Sequence, residues 1–194
     1  MLRVVLIAIC LSLPLRSVAA AESNVVVRPA TWAKPLQLEG VPNLYKVSDR
    51  LYRSAQPTME GFRSLKGLGV KTVLNLRSFN SDRRELEDVG LNYQHLFVKA
   101  WHPEEKEVVR FLRLVTDESR SPVLVHCQHG ADRTGLMCAV YRVAVQNWTK
   151  EAALKEMTGG DYNFHGVWEN LLKWFKKLDI ERIRKSAGLA GPFA

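Results

Sequence analysis

Short apolar runs and stretches of helical periodicity alternate along most of the chain. The segments 43–47, 50–54, 71–77 and 92–97 have the length and residue types of strands, and 123–126 is mostly apolar, as a buried strand requires. The first two flank a short polar turn, which predicts a hairpin. Strands that alternate with helices predict an α/β fold, a single compact domain with a central, mostly parallel twisted sheet flanked by helices.

Capping residues and prolines mark where the predicted helices begin. Thr58 and Thr149 stand at positions suited to helix caps, and Pro103 precedes a first turn rich in glutamate. The helix after Pro103 has an apolar stripe made of Val108, Phe111, Leu112 and Val115. We predict the last helix from about His165 to Lys185, with an apolar face that belongs to the core.

Residues 1–21 differ from the rest of the chain in composition. Arg3 precedes the apolar segment 4–13, and small residues then offer a cleavage site after Ala20 or Ala21. This order is typical of a secretory signal peptide, so we predict an exported protein. An uncleaved membrane anchor is the alternative, but the apolar segment is short for a bilayer, which argues against stable membrane insertion.

The remaining chain divides into three parts. Residues 22–42 contain three prolines and little periodicity, which predicts an extended N-terminal arm outside the core. We predict that residues 43–186 form the folded domain and that residues 187–194 form a flexible tail. The formal net charge of +8 falls to +6 when the two arginines of the leader are removed. No basic run is dense enough to predict nucleic-acid binding, and the modest positive excess suits an anionic substrate.

The chemistry that stands out in the sequence lies in residues 123–137. The strand at 123–126 runs into a polar turn, and a helix begins within that turn. The backbone N–H groups of such a loop, with the positive end of the helix dipole behind them, bind oxyanions. Cys127 lies where this field favours a thiolate, and Arg133 can bind two oxygens of a tetrahedral oxyanion. We therefore predict a nucleophile within an anion cradle.

The segment His126-Cys-Gln-His-Gly-Ala-Asp-Arg-Thr134 matches the Cys-x5-Arg-Ser/Thr loop of the cysteine-dependent protein tyrosine phosphatase superfamily. The chain resembles the compact dual-specificity branch, and it is most similar to the small exported, periplasmic bacterial members. Further matching segments are Tyr52-Arg-Ser-Ala-Gln-Pro, Val73-Leu-Asn-Leu-Arg, Tyr141-Arg, Gln146-Asn-Trp, Gly159-Gly160 and Trp168-Glu-Asn-Leu. The resemblance covers residues 43–180.

This resemblance implies a role for each part of the loop. Cys127 is the nucleophile and forms a phosphocysteine, and only its thiolate form attacks. Arg133 binds the phosphate, Thr134 steadies the thiolate as it leaves, and His126 orders the loop from behind. Gly130 allows the tight turn. The phosphate-binding backbone amides belong to Gln128, His129, Gly130, Ala131, Asp132 and Arg133.

The general acid is missing from its usual place. The family carries an aspartate on a loop well before the cysteine, whereas residues 97–107 of this chain contain none. His102 is the first candidate for the proton donor. The alternatives are Glu104, Glu105, Asp82 and Asp132. Glutamates commonly open a helix, and an aspartate within a loop can instead bind the backbone, so these alternatives stay open.

The sequence indicates no specific catalytic role for the remaining histidines, for Lys99 or for Cys138. His129 and Lys99 either line the mouth of the site and favour anions or are simply solvated. Cys138 lies in an apolar helical stretch and is predicted to be a core residue, too far along the helix from Cys127 for a disulfide. The histidines expected to be structural are His95 and His165. Because no cluster of ligands has metal-binding spacing, we expect no metal and no cofactor.

These features predict an exported phosphatase that hydrolyses phosphate monoesters without a metal ion. Phosphotyrosine in proteins is the first candidate substrate, and phosphoserine and phosphothreonine stay open. Small polyphosphorylated molecules such as inositol phosphates are the alternative. A wide, basic pocket mouth favours them, whereas a deep, narrow pocket favours phosphotyrosine. The missing aspartate also keeps open a catalytically silent phosphate-binding module.

Overall fold

The structure is a computed structural model that describes residues 28–189 and residue 191, so the predicted leader at 1–21 lies outside the described residues. The strands are β1 (Lys34–Pro35), β2 (Tyr45–Lys46), β3 (Leu51–Ser54), β4 (Thr72–Asn75), β5 (Asn92–His95) and β6 (Val123–His126). The helices are α1 (Met59–Gly67), α2 (Arg83–Leu86), α3 (Glu105–Thr116), α4 (Asp132–Gln146), α5 (Lys150–Gly159), α6 (Glu169–Lys177) and α7 (Ile180–Ala187). A turn of 3-10 helix, Gly166–Trp168, precedes α6.

The sheet has six strands in the order β1-β2-β3-β6-β4-β5, and its four parallel strands are β3, β6, β4 and β5. β6 lies between β3 and β4 and is parallel to both, and β5 is parallel to β4. β1 and β2 continue the sheet beyond β3 in antiparallel pairing, so the predicted hairpin and mostly parallel sheet are confirmed. The last residues of the parallel strands lie in one row, in the order Ser54, His126, Asn75 and His95. Open α/β sheets place their ligands at such carboxyl ends.

Helices cover both faces of the sheet. Side chains of a strand point alternately to the two faces, and in β6 Val123 and Val125 join one hydrophobic cluster while Leu124 joins the other. The larger cluster packs the sheet against α3 to α7, and the smaller one packs it against α1 and α2. A strand buried on both faces carries apolar side chains on both, which explains the continuous apolar run 123–125 that predicted β6.

The helix starts predicted at the two threonines are confirmed. The side chain of Thr58 accepts a hydrogen bond from the N–H of Gly61 at 3.1 Å, and Thr149 caps α5 in the same way at 3.1 Å. The apolar stripe of α3 is fully buried, as predicted, at Val108, Phe111, Leu112 and Val115. Local capping chemistry and periodicity were therefore sufficient to find these helices.

The last predicted helix, 165–185, is divided in the structure. Asp179 separates α6 from α7, and its side chain accepts a hydrogen bond from the N–H of Arg182 at 3.0 Å. Because an aspartate in this position starts a new helix, the prediction of one continuous helix is wrong. α7 ends at Ala187, which is buried against the core, so the segment 187–194 predicted as a tail begins inside a packed helix.

Residues 28–42, the described part of the predicted arm, pack on the domain instead of lying outside its core. β1 pairs with β2, and Ala33 is 1% exposed. The N–H of Ala33 donates to Oε1 of Glu156 at 2.6 Å, and the same glutamate forms a buried ion pair with Arg142 at 2.6 Å. Ala33 and Glu156 are 123 positions apart, so the local sequence could not reveal this contact.

Candidate active site

The predicted nucleophile lies at the carboxyl edge of the sheet. Cys127 directly follows β6, and α4 begins at Asp132, so residues 127–131 turn between a central strand and a helix, as predicted. Cys127 is 1% exposed, which means that the loop and the neighbouring strand ends enclose its thiol. Both Cys127 and Cys138 are free thiols. Burial in the core raises the pKa of Cys138 to about 11, so this second thiol stays protonated.

Successive carbonyl groups of the loop are held from outside. The donors are the backbone N–H of Gln56 (3.2 Å to Gln128 O), Asn43 Nδ2 (2.9 Å to His129 O) and Arg53 Nη2 (2.6 Å to Gly130 O). In a trans peptide the N–H group points away from the C=O group that precedes it. The N–H groups of residues 129–131 therefore turn towards the interior of the loop, where they can bind phosphate oxygens.

Gly130 allows the loop to approach the end of β3 closely. Its φ is +69°, a conformation that favours glycine. A Cβ atom at this position would lie 2.5 Å from the carbonyl oxygen of Ser54 and from the backbone nitrogen of Ala55. The glycine therefore serves the packing of the loop on the strand as well as the tight turn that the sequence indicated.

Arg53 supports the loop from the side of the sheet, and the sequence did not identify it. It is 1% exposed, and in addition to its bond with Gly130 its guanidinium carbon lies 3.5 Å from the ring centroid of Tyr162. A guanidinium stacked on an aromatic face is a favourable way to bury a cation. The sole sequence signal was the position of Arg53 in a segment that resembles the family.

A buried carboxylate anchors His126 behind the loop. Nε2 of His126 lies 3.0 Å from Oδ2 of Asp82, and both side chains are fully buried. Asp82 also accepts hydrogen bonds from Gln56 Nε2 at 2.9 Å and from Arg77 Nη2 at 2.6 Å. Burial alone would raise the pKa of Asp82, but the 3.0 Å contact with His126, the hydrogen bond from Gln56 and the charges of His126 and Arg77 outweigh burial and lower it. Asp82 is therefore ionised near neutral pH and holds the loop instead of donating a proton.

Arg133 borders a pocket of about 300 Å³ at the mouth of the loop. Much of the pocket wall is aromatic, with Phe79, Trp101 and Trp168. The other lining residues are Arg77, Ser78, Asn80, Ala100 and Gln128. Phe79 is 86% exposed, so the aromatic wall opens to solvent. Because Arg77 is paired with Asp82, Arg133 is the cation of this lining that has no acidic partner among the described residues.

Thr134 contributes a hydroxyl group close to the loop. The residue lies in the first turn of α4 and is fully buried. Its Oγ1 has no hydrogen-bond partner among residues 28–189. Buried hydroxyl groups are normally satisfied, so an unpaired one beside an anion cradle is available to a charged group that forms there.

The matches to known proteins agree with this geometry. A protein-family model described as "DSP-PTPase phosphatase fused to NAD+ Kinase" matches residues 39–167. The dual specificity protein phosphatase TpbA of Pseudomonas aeruginosa is 36% identical over 166 residues, which cover 85% of this chain and 74% of TpbA. The chain belongs to the dual-specificity phosphatase family. The phosphatase shares with this family the fold and the cysteine-containing loop described above.

Solved structures place the phosphatase in the same group. A crystal structure of P. aeruginosa TpbA has a TM-score of 0.75 and 34% identity, and the match covers 84% of this chain and 99% of that chain. Another TpbA crystal structure, of a cysteine-to-serine variant in complex with phosphotyrosine, has a TM-score of 0.75 and 33% identity, and the match covers 84% of this chain and 100% of that chain.

A further sequence relative is inositol diphosphatase DSP5 of Arabidopsis thaliana. It is 31% identical over 126 residues, which cover 59% of this chain and 60% of DSP5.

The two glutamates considered as proton donors of the phosphatase have structural partners. Glu104 forms an ion pair with Lys106 at 2.5 Å, and at the start of α3 its backbone N–H donates to the carboxylate of Glu107 at 3.1 Å. The hydrogen bond from Lys106 holds the pKa of Glu104 below its ordinary value, so this carboxylate is ionised. Glu105 pairs with Arg182 of α7. Neither glutamate lines the aromatic pocket.

His102 stays the predicted general acid of the phosphatase. Asp132, the remaining alternative, accepts a hydrogen bond from Nδ1 of His165 at 2.8 Å. His102 is exposed and follows Ala100 and Trp101, which line the pocket, although its own side chain is outside the lining. Its backbone forms a bridge with exposed Lys99, which fixes the tight turn between them.

A further group of side chains corrects the expectation that no ligand cluster exists. One potential ligand atom from each of His129, Asp132 and His165 lies within 4.8 Å of the others. Asp132 and His165 are 33 positions apart, so no spacing in the sequence could indicate this group. His95, by contrast, is structural as predicted, because its Nε2 lies 2.7 Å from the carbonyl oxygen of Arg77.

Proposed function

We propose that this phosphatase hydrolyses phosphotyrosine in proteins through a phosphocysteine intermediate, with phosphoserine and phosphothreonine as secondary substrates. The observation that carries the proposal is the aromatic wall beside Arg133, formed by Phe79, Trp101 and Trp168. A phenyl ring whose phosphate group lies in the cradle can pack against this wall. The TpbA complex with phosphotyrosine supports the same class of substrate.

In the first step, the thiolate of Cys127 attacks phosphorus and the ester P–O bond breaks. The phosphoryl group is then on sulfur, and the departing oxygen takes a proton from the general acid. The N–H groups turned into the loop and the guanidinium of Arg133 bind the equatorial oxygens, on which charge is spread in the transition state. A lysine at this position could not provide the bidentate contact.

In the second step, water attacks phosphorus, its proton passes to the group that donated one in the first step, and the S–P bond breaks. Inorganic phosphate leaves, and the thiolate of Cys127 is restored. The hydroxyl group of Thr134, buried and without another partner among the described residues, is available to donate a hydrogen bond to the sulfur as negative charge returns to it. No metal ion is needed for either step, because the loop and Arg133 bind the phosphoryl oxygens.

A small polyphosphorylated substrate, such as an inositol phosphate, is the second candidate, and the similarity to inositol diphosphatase DSP5 supports it. A ring that carries several phosphates requires several free cations at the mouth of the pocket. The charge of Arg77 is neutralised by its ion pair with Asp82 at 2.6 Å. Among the described residues, Arg133 is therefore the unpaired cation of the pocket lining. The charge of the aromatic pocket therefore favours phosphotyrosine.

Export to the periplasm is a further part of the proposal. Its support is the order of charged, apolar and small residues in the leader, 1–21. Among the described residues, no helix is long and apolar enough to cross a membrane. N-terminal sequencing of the protein from a periplasmic fraction should find a first residue of Ala21 or Glu22. A protein that is recovered in the cytoplasm with the leader intact would contradict the proposal.

Substrate choice is tested by the kinetics of the purified, reduced enzyme on a phosphotyrosine peptide, a phosphoserine peptide and inositol hexakisphosphate. The variants Phe79→Ala and Trp101→Ala each remove one aromatic contact worth about 1 kcal/mol, so KM for the phosphotyrosine peptide should rise about fivefold. KM for the inositol phosphate should not change. A higher kcat/KM for inositol hexakisphosphate than for the phosphotyrosine peptide would favour the second candidate.

The intermediate is tested by acid quenching during turnover of a labelled phosphate ester. Label should remain on the protein in the wild type and should be absent in Cys127→Ser, which should also lose turnover. Cys138→Ala is the matched control, because it removes the other described thiol, and it should keep both the label and the turnover. Turnover by Cys127→Ser at the wild-type rate would refute the mechanism.

A further inference from the structure

Gln128 separates two openings beside the cysteine loop. One side is the aromatic pocket, and the other is a cavity of about 600 Å³ whose lining includes His129 and His165. Asp132 lies behind His165 and is 6% exposed. The mechanism uses the backbone of His129 and Asp132, but it gives no role to their side chains or to His165.

The backbone fixes the positions of these side chains. The carbonyl group of His129 accepts a hydrogen bond from Asn43 Nδ2 at 2.9 Å, and Asp132 is the first residue of α4. Oδ1 of Asp132 accepts a hydrogen bond from the backbone N–H of His165 at 2.9 Å. The segment before the 3-10 turn is thereby attached to the start of α4, and the ring of His165 is kept beside the loop.

The rings and the carboxylate converge closely. Nδ1 of His165 lies 3.1 Å and 2.8 Å from the two carboxylate oxygens of Asp132. The ring centroids of His129 and His165 are 5.1 Å apart, with an interplanar angle of 62°. One potential ligand atom from each of the three side chains lies within 4.8 Å of the others. Ligands of a tetrahedral zinc ion lie about 3.3 Å apart, so small side-chain rotations suffice to surround an ion.

We propose that His129, Asp132 and His165 bind one divalent transition-metal ion of the zinc class. Two imidazoles and one carboxylate are a ligand set that zinc and neighbouring metals favour, whereas calcium and magnesium require more oxygen ligands. The ion replaces the hydrogen bond between Asp132 and His165 with bonds to both side chains. The cavity leaves its fourth position to water or to an anion. This site is independent of the proposed substrate, and the ion takes no part in the phosphocysteine steps.

The test uses the full chain in the Cys127→Ser variant, because a thiolate beside the cluster would otherwise bind the metal itself. A calorimetric titration with Zn²⁺ should show one equivalent of the ion bound per chain. Co²⁺ should give the visible absorption of a low-coordinate site with nitrogen and oxygen ligands. His129→Ala and His165→Ala should each weaken Zn²⁺ affinity by at least about tenfold.

His102→Ala is the matched control, because it removes an exposed imidazole outside the cluster, and it should leave the Zn²⁺ affinity unchanged. The side chain of His129 is exposed, so His129→Ala should keep the fold and its thermal unfolding midpoint. Equal Zn²⁺ affinity in the parent, His129→Ala and His165→Ala would mean that binding is adventitious only. That result would refute the site, and so would tenfold weaker binding in His102→Ala alone.

Discussion

Asp82 and His126 form a fully buried pair, with 3.0 Å between Oδ2 and Nε2, directly behind the nucleophile loop. The contact joins the segment after β4 to the last residue of β6, which precedes Cys127 in the chain. Arg77 binds the other oxygen of Asp82 at 2.6 Å. One carboxylate thus holds both a residue that lines the aromatic pocket and the residue that positions the start of the loop.

Asp82→Asn should lower the free energy of unfolding at pH 7 by about 3–5 kcal/mol, because it removes the negative partner of two buried donors. The pKa of Asp82 is lowered in the folded state. Its contribution is therefore fully present above the unfolded value of about 3.9 and is lost as the pH falls through the lower folded value. The difference between wild type and variant should shrink below about pH 4. Urea unfolding of both proteins at pH 7, 5 and 3 measures this difference in the free energy of unfolding.

Asp88→Asn is the control for this prediction, since Asp88 is an exposed carboxylate six positions away on the same segment. It should change the free energy of unfolding by less than about 0.5 kcal/mol. If Asp82→Asn were as stable as the control at pH 7, the buried pair would not hold the loop in the way described.

Arg53→Lys should lower kcat by about 100-fold. A lysine cannot both donate to Gly130 O and stack on Tyr162, so the loop should shift. A small shift of a loop that positions a nucleophile lowers the reaction rate strongly. Arg142→Lys is a matched control, because Arg142 is equally buried but pairs with Glu156 away from the loop. Both variants should be less stable, and kcat at saturating substrate should fall in Arg53→Lys alone. Equal losses of kcat would show that Arg53 acts through general stability.

Local patterns are sufficient to predict β2 to β6, the threonine-capped helices and the cysteine loop, whereas β1 lies in the segment predicted as an arm outside the core. The loop could be found because strand, turn and helix signals are contiguous in residues 123–137. Long-range contacts were not predictable in the same way. Arg53 and Gly130 are 77 positions apart. The contacts with His126, Gln56 and Arg77 that keep Asp82 ionised form only in the folded chain. The sequence therefore leaves Asp82 as a candidate proton donor, whereas its environment makes it an acceptor.

Gly130→Ala should disrupt the nucleophile loop, because the new Cβ would lie 2.5 Å from backbone atoms of Ser54 and Ala55 at a φ of +69°. We expect a loss of at least about 2 kcal/mol of stability and turnover close to background. Gly67→Ala is the control, since a Cβ there meets no atom within 4 Å in the last turn of α1. That control should be neutral or more stable by about 0.5–1 kcal/mol. The measurements are the thermal unfolding midpoint and kcat of both variants. A fully active Gly130→Ala would contradict the close packing of the loop.

His102→Ala should slow esters with poor leaving groups more than esters with good ones, because a general acid matters most when the departing oxygen is basic. His102 follows Trp101 of the pocket wall, and Glu104 interacts with it electrostatically. The measurement is kcat/KM for a series of aryl phosphates of increasing phenol pKa. The dependence on the phenol pKa should be steeper in His102→Ala than in the wild type, and Glu104→Ala should keep the wild-type slope. Equal slopes in all three enzymes would mean that His102 does not donate the proton.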